Sequence, residues 1–152
     1  MTDDDAVIKE IFIDASPEAI FPYLVESEKY LSWMGIAAAL DARPGGIFQV
    51  DPNGRDVIDG RFLEVDPPRR VVFTWGWKEA GHPVPAGSTR VEIELVPQGR
   101  GTLLRLTHSG LTGPARARHD AGWTHYLDRL RTVASGGTPA PDPYADPEHR
   151  HG

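Results

Sequence analysis

Two periodicities meet within residues 101–134, and together they constrain the fold more than any other part of the chain. From Gly101 to Ser109 the residues alternate, with Leu104, Leu106 and His108 on one face and Arg105 and Thr107 on the other, the period of a half-buried strand. Gly113-Pro114 then opens a helix that runs to about Ala134. At about 100° per residue, His119, Trp123, Tyr126, Leu127 and Leu130 fall on one side of that helix, and His125 lies far round its circumference. A strand feeding a long amphipathic helix, after a run of other strands, predicts a helix laid across a curved sheet. Side chains of the two walls then face each other and can enclose a pocket.

The strands before it are marked by their breaks. Residues 7–14 are rich in β-branched and aromatic types and read as a first strand. Ser16-Pro17-Glu18 starts a helix, because serine caps free amides, proline at the first helical position loses no bond, and glutamate suits the positive end. Its apolar stripe is Ile20, Phe21, Leu24 and Val25; a second short helix from Ser27 carries Tyr30, Leu31, Trp33 and Met34 and stops at Gly35. Strands are expected near 36–42, 46–51, 56–66, 69–77, 88–97 and 101–109, separated by Pro44-Gly45-Gly46, Asp51-Pro52-Asn53-Gly54 and Pro67-Pro68. Thr89 to Leu95 shows the clearest alternation, with Val91, Ile93 and Leu95 on one face and Arg90, Glu92 and Glu94 on the other. Residues 78–87, with two prolines and two glycines, read as a loop at the sheet rim, either a lid or a long hairpin.

Composition removes several function classes. A chain of 152 residues fits one domain, placed at 1–134, that buries roughly two thirds of the surface it exposes when unfolded. Residues 135–152, where Pro139, Pro141, Pro143 and Pro147 alternate with small and charged residues, read as a disordered tail. The absence of cysteine excludes disulfides, thiolate metal sites and cysteine nucleophiles, and fits a reducing cytoplasm. The acidic opening Met-Thr-Asp-Asp-Asp is unlike a signal peptide, and no apolar run approaches the ~20 residues that span a bilayer. A cytoplasmic protein that does not engage a membrane is expected. The net charge of −6 opposes a nucleic-acid surface; Arg116, Arg118, Arg129 and Arg131, interleaved with Asp120 and Asp128, read as a solvated helix face.

Candidate chemistry is sparse. His108 and His119 are expected to face the interior from opposite walls, as polar anchors in an apolar pocket or as buried histidines satisfied by nearby hydroxyls and carbonyls. No metal is expected, since a third ligand would have to come from scattered carboxylates such as Glu64 or Asp59. Ser109 and His108 are strand neighbours on opposite faces, so they form no nucleophile–base pair, and no catalytic residue is assigned. Gly99-Arg100-Gly101 is a hairpin turn and not a phosphate loop, and no cofactor is expected. Phe73, Trp75 and Trp77 share one strand face, with Trp33, Phe48, Phe62 and Trp123 arriving from other elements. Each aromatic buries ~150–250 Å², so such a set can line a cavity or fill it. Gly35, Gly60, Gly110 and Gly122 favour a cavity by leaving room. Leu106 and Leu127 complete the expected lining with His108, His119 and Trp123.

The ordered motifs Ser16-Pro17-Glu18 with Phe21, Trp33, Pro44-Gly45-Gly46 with Phe48, and Gly60 recur in one known family. So do Pro67-Pro68 leading to Val71–Trp75, Gly101-Thr102 to His108-Ser109-Gly110-Leu111, and His119 with Gly122-Trp123 and Leu127. Over residues 7–134 the chain resembles the SRPBCC, or START-like, superfamily with the Bet v 1 helix-grip fold, and within it the AHSA family of heat-shock-90 ATPase activator homologues. The resemblance implies an α+β fold of about six to seven antiparallel strands, two short helices and a long C-terminal helix. It also implies a cavity that takes an apolar small molecule such as a lipid. Two other roles go with the family and superfamily: a protein-binding, co-chaperone-like module in the stress response, and a cyclase- or hydrolase-type enzyme that uses the same cavity.

Overall fold

The computed structural model describes residues 6–143. Strand β1 (Ala6–Ile13) leads into three single-turn helices, α1 (Pro17–Ile20), α2 (Pro22–Val25) and α3 (Ser27–Tyr30). The strands β2 (Ala37–Leu40), β3 (Ile47–Asp51), β4 (Ile58–Asp66), β5 (Arg70–Trp75), β6 (Thr89–Gln98) and β7 (Gly101–Ser109) follow, and the last helix is α4 (Gly113–Ala134). All seven strands form one sheet in the order β1-β7-β6-β5-β4-β3-β2, every pairing antiparallel. This is the expected helix-grip architecture.

Local chemistry accounts for most boundaries. Ser16 caps α1, its Oγ accepting from the Ala19 amide at 3.2 Å. The helix expected to continue through Val25 is broken instead, because Pro22 has no N–H to give to the carbonyl one turn back. The turn therefore restarts as α2, and Ile20, Phe21 and Leu24 still reach the core. Gly35, at φ 94°, ends the helical region as its sequence context predicts. A register shift between Phe62 and Glu64 marks a bulge in β4, which bends the sheet.

The curved sheet wraps its inner face around α4, and the core lies between them. Val91, Ile93 and Leu95 on β6 and Leu104 and Leu106 on β7 are almost wholly buried, as are Trp123, Leu127 and Leu130 of α4. At one end Arg116 donates from Nε to the Ala6 carbonyl (2.9 Å), and Lys9 pairs with Asp120 at 2.6 Å. At the other, Arg129 donates to the Trp33 carbonyl at 3.0 Å. Of the basic residues read as a solvated face, Arg116 and Arg129 thus tie the helix to its surroundings, and Arg131 pairs with Asp128.

The described part of the C-terminal segment lies back on α4. Asp142 meets His125 Nε2 at 2.9 Å, and Arg129 donates to the Ala140 carbonyl. Residues 144–152 of the expected tail lie outside the described residues.

Candidate functional site

Histidine and tryptophan side chains from the two walls interlock at the centre of the fold. The strand alternation turns His108 inward from β7, and the helical period turns His119 and Trp123 inward from α4; all three are buried. From the sheet side, Trp75 ends β5, and Trp77 follows it through isolated bridges to Ile58 and Pro85. Gly76 between them allows the chain to pass close to the 78–87 segment, since a Cβ there would stand 1.8 Å from the Pro85 carbonyl oxygen. That segment is pinned over the sheet by bonds from the Trp77 amide to Val84 O (2.8 Å) and the Lys78 amide to Val57 O (2.7 Å).

The hydrogen bonds of the cluster set the state of both imidazoles. Trp123 Nε1 donates to His108 Nδ1 at 2.9 Å, and Trp77 Nε1 donates to His119 Nε2 at 3.2 Å. An indole N–H only donates, so each accepting nitrogen is unprotonated and the proton of each neutral ring sits on the other one. His108 Nε2–H therefore donates to Thr89 Oγ1 (2.8 Å), whose hydroxyl donates to Trp75 O (2.8 Å). His119 Nδ1–H donates to Ala115 O at 2.8 Å. Burial, with a smaller contribution from neighbouring His119, holds the His108 imidazole well below its ordinary value. In this arrangement no nitrogen of either ring is set up as a general base. The two histidines orient the indoles.

Three of the four indole N–H groups have acceptors, for Trp33 Nε1 donates to Tyr23 O at 2.9 Å. The exception is Trp75: it is 2% exposed, and its Nε1 has no partner among the described residues. Such a group forfeits about 1–3 kcal/mol unless something accepts its proton.

Trp75 borders a slot of about 40 Å³ between sheet and helix, together with Met34, Trp77, Arg118, His119, Gly122, Trp123 and Tyr126. A Cβ on Gly122 would have no atom within 4 Å, so this glycine faces open room in the middle of a helix. Its expected role as a spacer agrees with that. Gly60 differs, because a Cβ there would lie 1.9 Å from the Thr74 carbonyl oxygen; it allows two strands to approach and leaves no cavity.

Of the residues expected to line a cavity, Trp75, Trp77, His119 and Trp123 border the slot. Trp33, Phe48, Phe62, Phe73, Leu106, His108 and Leu127 are buried and do not border it. Phe48 stacks on Phe73 with centroids 4.1 Å apart and meets Phe62 edge-on at 5.6 Å, so these rings fill the interior. Met34 and Tyr126, which do border the slot, were legible as apolar helix positions. Arg118 carried no such signal, and only the fold brings it to the rim. Burial foremost, and then Asp142, raises the Tyr126 phenol. Above the slot His82 stacks on Trp77 at 5.4 Å, and burial lowers its imidazole despite the opposing charges of Glu79 and Asp56.

Among the described residues no three His, Asp or Glu side chains are grouped to hold a metal ion, and no helix is long and apolar enough to cross a membrane.

Residues 14–135 match the family model described as Activator of Hsp90 ATPase homolog 1-like protein. The chain belongs to this family. The motifs read from Ser16 to Leu127 are therefore those of the Hsp90 ATPase activator homologues. Among solved structures, the AHSA1-like protein of Rhizobium etli is 46% identical over 91% of this chain and 86% of that one, with a TM-score of 0.72. CalU16 of Micromonospora echinospora is 27% identical over 86% of this chain and 76% of that one, with a TM-score of 0.71. The Aha1 dimer of Colwellia psychrerythraea, 22% identical over 88% of this chain and 98% of that one at a TM-score of 0.75, shares the fold. No curated protein matches the chain.

Proposed function

We propose that this AHSA1-like domain binds an apolar small molecule between α4 and the sheet, with an acceptor atom of the ligand at Trp75 Nε1. The observation that carries the reading is the unpartnered indole N–H of a buried tryptophan beside a slot kept open at Gly122. Pockets for whole small molecules occupy about 300–1,000 Å³. The 40 Å³ slot therefore admits only the tip of a ligand in this state. Widening it requires side-chain rotation along the slot, where the unbranched thioether of Met34 is the adaptable group.

The test is a titration with the neutral dye Nile red, read by its emission and by quenching of the tryptophans. The expected result is saturable binding in the parent protein that Gly122→Phe abolishes by filling the slot. Dye emission that rises without saturation, or equally in both proteins, overturns the reading.

The outer face of the sheet favours a second reading, a module that engages a protein partner. Phe12 and Val96, 47% and 49% exposed, both pair with Leu103 across β7, which makes a contiguous apolar patch. The family name points to a chaperone of the heat-shock-90 type. Stimulation of such a chaperone's ATPase, lost in Phe12→Asp, would support this reading, and an unchanged ATPase rate would remove it.

A further inference from the structure

We infer that His82 is an acid-released clamp on the 78–87 segment: it holds the tip of the segment over Trp77 while its imidazole is neutral and lets go when the ring takes up a proton. The inference concerns the segment itself and stands whether or not the interior binds a molecule.

Three residues carry it. The Val84 amide donates to His82 Nδ1 at 2.9 Å, so this nitrogen is unprotonated and the proton of the neutral ring sits on Nε2. Val84, which is 4% exposed, in turn accepts at its carbonyl from the Trp77 amide at 2.8 Å. The His82 ring lies nearly parallel to the Trp77 indole, with 22° between the planes and 5.4 Å between the centroids. A turn closed by the His82 amide on Glu79 O, at 3.2 Å, brings the ring back over that indole. One imidazole thus accepts from the tip and covers the tryptophan beneath it.

The bond exists in one protonation state only. An imidazolium donates from both nitrogens, and a proton on Nδ1 would meet the Val84 N–H donor against donor. The Val84 amide then loses its acceptor and has to turn to water.

The charges around the ring favour the released form once it is protonated. Glu79 on the same segment and Asp56 from the loop before β4 stabilise an imidazolium, whereas Arg118 of α4 opposes it. Burial outweighs the two carboxylates while the ring rests on Trp77, and holds the imidazole below its ordinary value. Swinging off the indole removes the burial penalty and leaves the carboxylates, so protonation and release promote each other. The bonds from the Lys78 amide to Val57 O and from the Gly87 amide to Asp59 O join backbone to backbone and do not titrate, which confines the change to the tip. Its effect reaches the slot, because Trp77 is one of the walls and loses the ring stacked on it.

The experiment is hydrogen exchange of the 15N-labelled full chain, followed by NMR at pH 7.5 and 5.0 with each amide corrected for its intrinsic rate. Protection of the Val84 amide in the parent is expected to fall by about five- to tenfold on acidification, the worth of one hydrogen bond. His82→Asn offers an amide oxygen in place of Nδ1 and does not titrate, and His82→Phe keeps the stack without an acceptor. Both should make Val84 protection independent of pH, with His82→Phe at the low level that the parent shows in acid. Equal protection at the two pH values in the parent overturns the clamp. So does a fall of the parent's size in either variant, or high protection in His82→Phe.

Discussion

The indole N–H of Trp123 on α4 ends on Nδ1 of His108 on β7, 2.9 Å away, so a helix and a strand are joined through two buried aromatic rings. Removing one partner leaves a buried polar atom unsatisfied, whereas removing both does not. Trp123→Phe and His108→Leu should each cost about 1–3 kcal/mol, and the double variant less than their sum. Urea denaturation of the four proteins measures the difference, with a coupling of about 0.5–3 kcal/mol expected. Strict additivity would mean that the bond contributes nothing.

Stability should fall on mild acidification. His108 is held well below its ordinary value of 6.5 by burial, so below that pH the unfolded chain takes up a proton that the folded chain refuses. The unfolded state then binds more protons, which means that stability rises with pH through this window. Between pH 7.5 and 5.5 the loss from this one group amounts to at most about 1.4 kcal/mol, the limit for a folded imidazole that takes up no proton there. Denaturation curves at the two pH values should show a correspondingly smaller pH effect in His108→Gln than in the parent. An equal effect in both would show that His108 titrates normally.

Gly122 sits in mid-helix, with no atom within 4 Å of where its Cβ would be. Alanine there gains helix propensity without a clash, so Gly122→Ala should stabilise the fold by about 1 kcal/mol. For a chain of this size the melting temperature should rise by about 2–4 °C. A larger residue, as in Gly122→Phe, should also occupy the slot and exclude the dye. A lower Tm for Gly122→Ala would show that the room at this position is not real.

Gly60 should respond in the opposite sense. Its Cβ would stand 1.9 Å from the Thr74 carbonyl oxygen, and both atoms belong to paired strands that cannot separate cheaply. Gly60→Ala should destabilise the protein by about 1–3 kcal/mol, the usual cost of overpacking. Calorimetry distinguishes this from the gain at Gly122, although both changes add a single methyl group.

Strand spans and helix faces were legible because both depend on short-range periodicity, whereas the pairing of β1 with β7 joins segments far apart in the chain. The inward placement of His108, His119 and Trp123 followed from residue spacing alone, as did the position of His125 away from the core. The break at Pro22 was missed because the apolar stripe Ile20, Phe21, Leu24 continues across it and conceals the missing amide. The aromatic residues expected to line a cavity divide into two groups. Phe48, Phe62 and Phe73 pack on one another, while Trp75 and Trp77 reach the slot, and no sequence pattern separates rings that fill from rings that line.

The sequence by itself determined which faces turn inward, since alternation and helical period encode these locally, and its ordered motifs carried the resemblance to the AHSA family and its helix-grip fold. Only the tertiary structure decided what the inward groups do. The pairing of His108 with Trp123 and of His119 with Trp77 depends on distances between walls built from residues 15 to 42 positions apart. The unpaired Trp75 N–H and the slot at Gly122 are likewise what close packing leaves over, and packing is settled by all the side chains together.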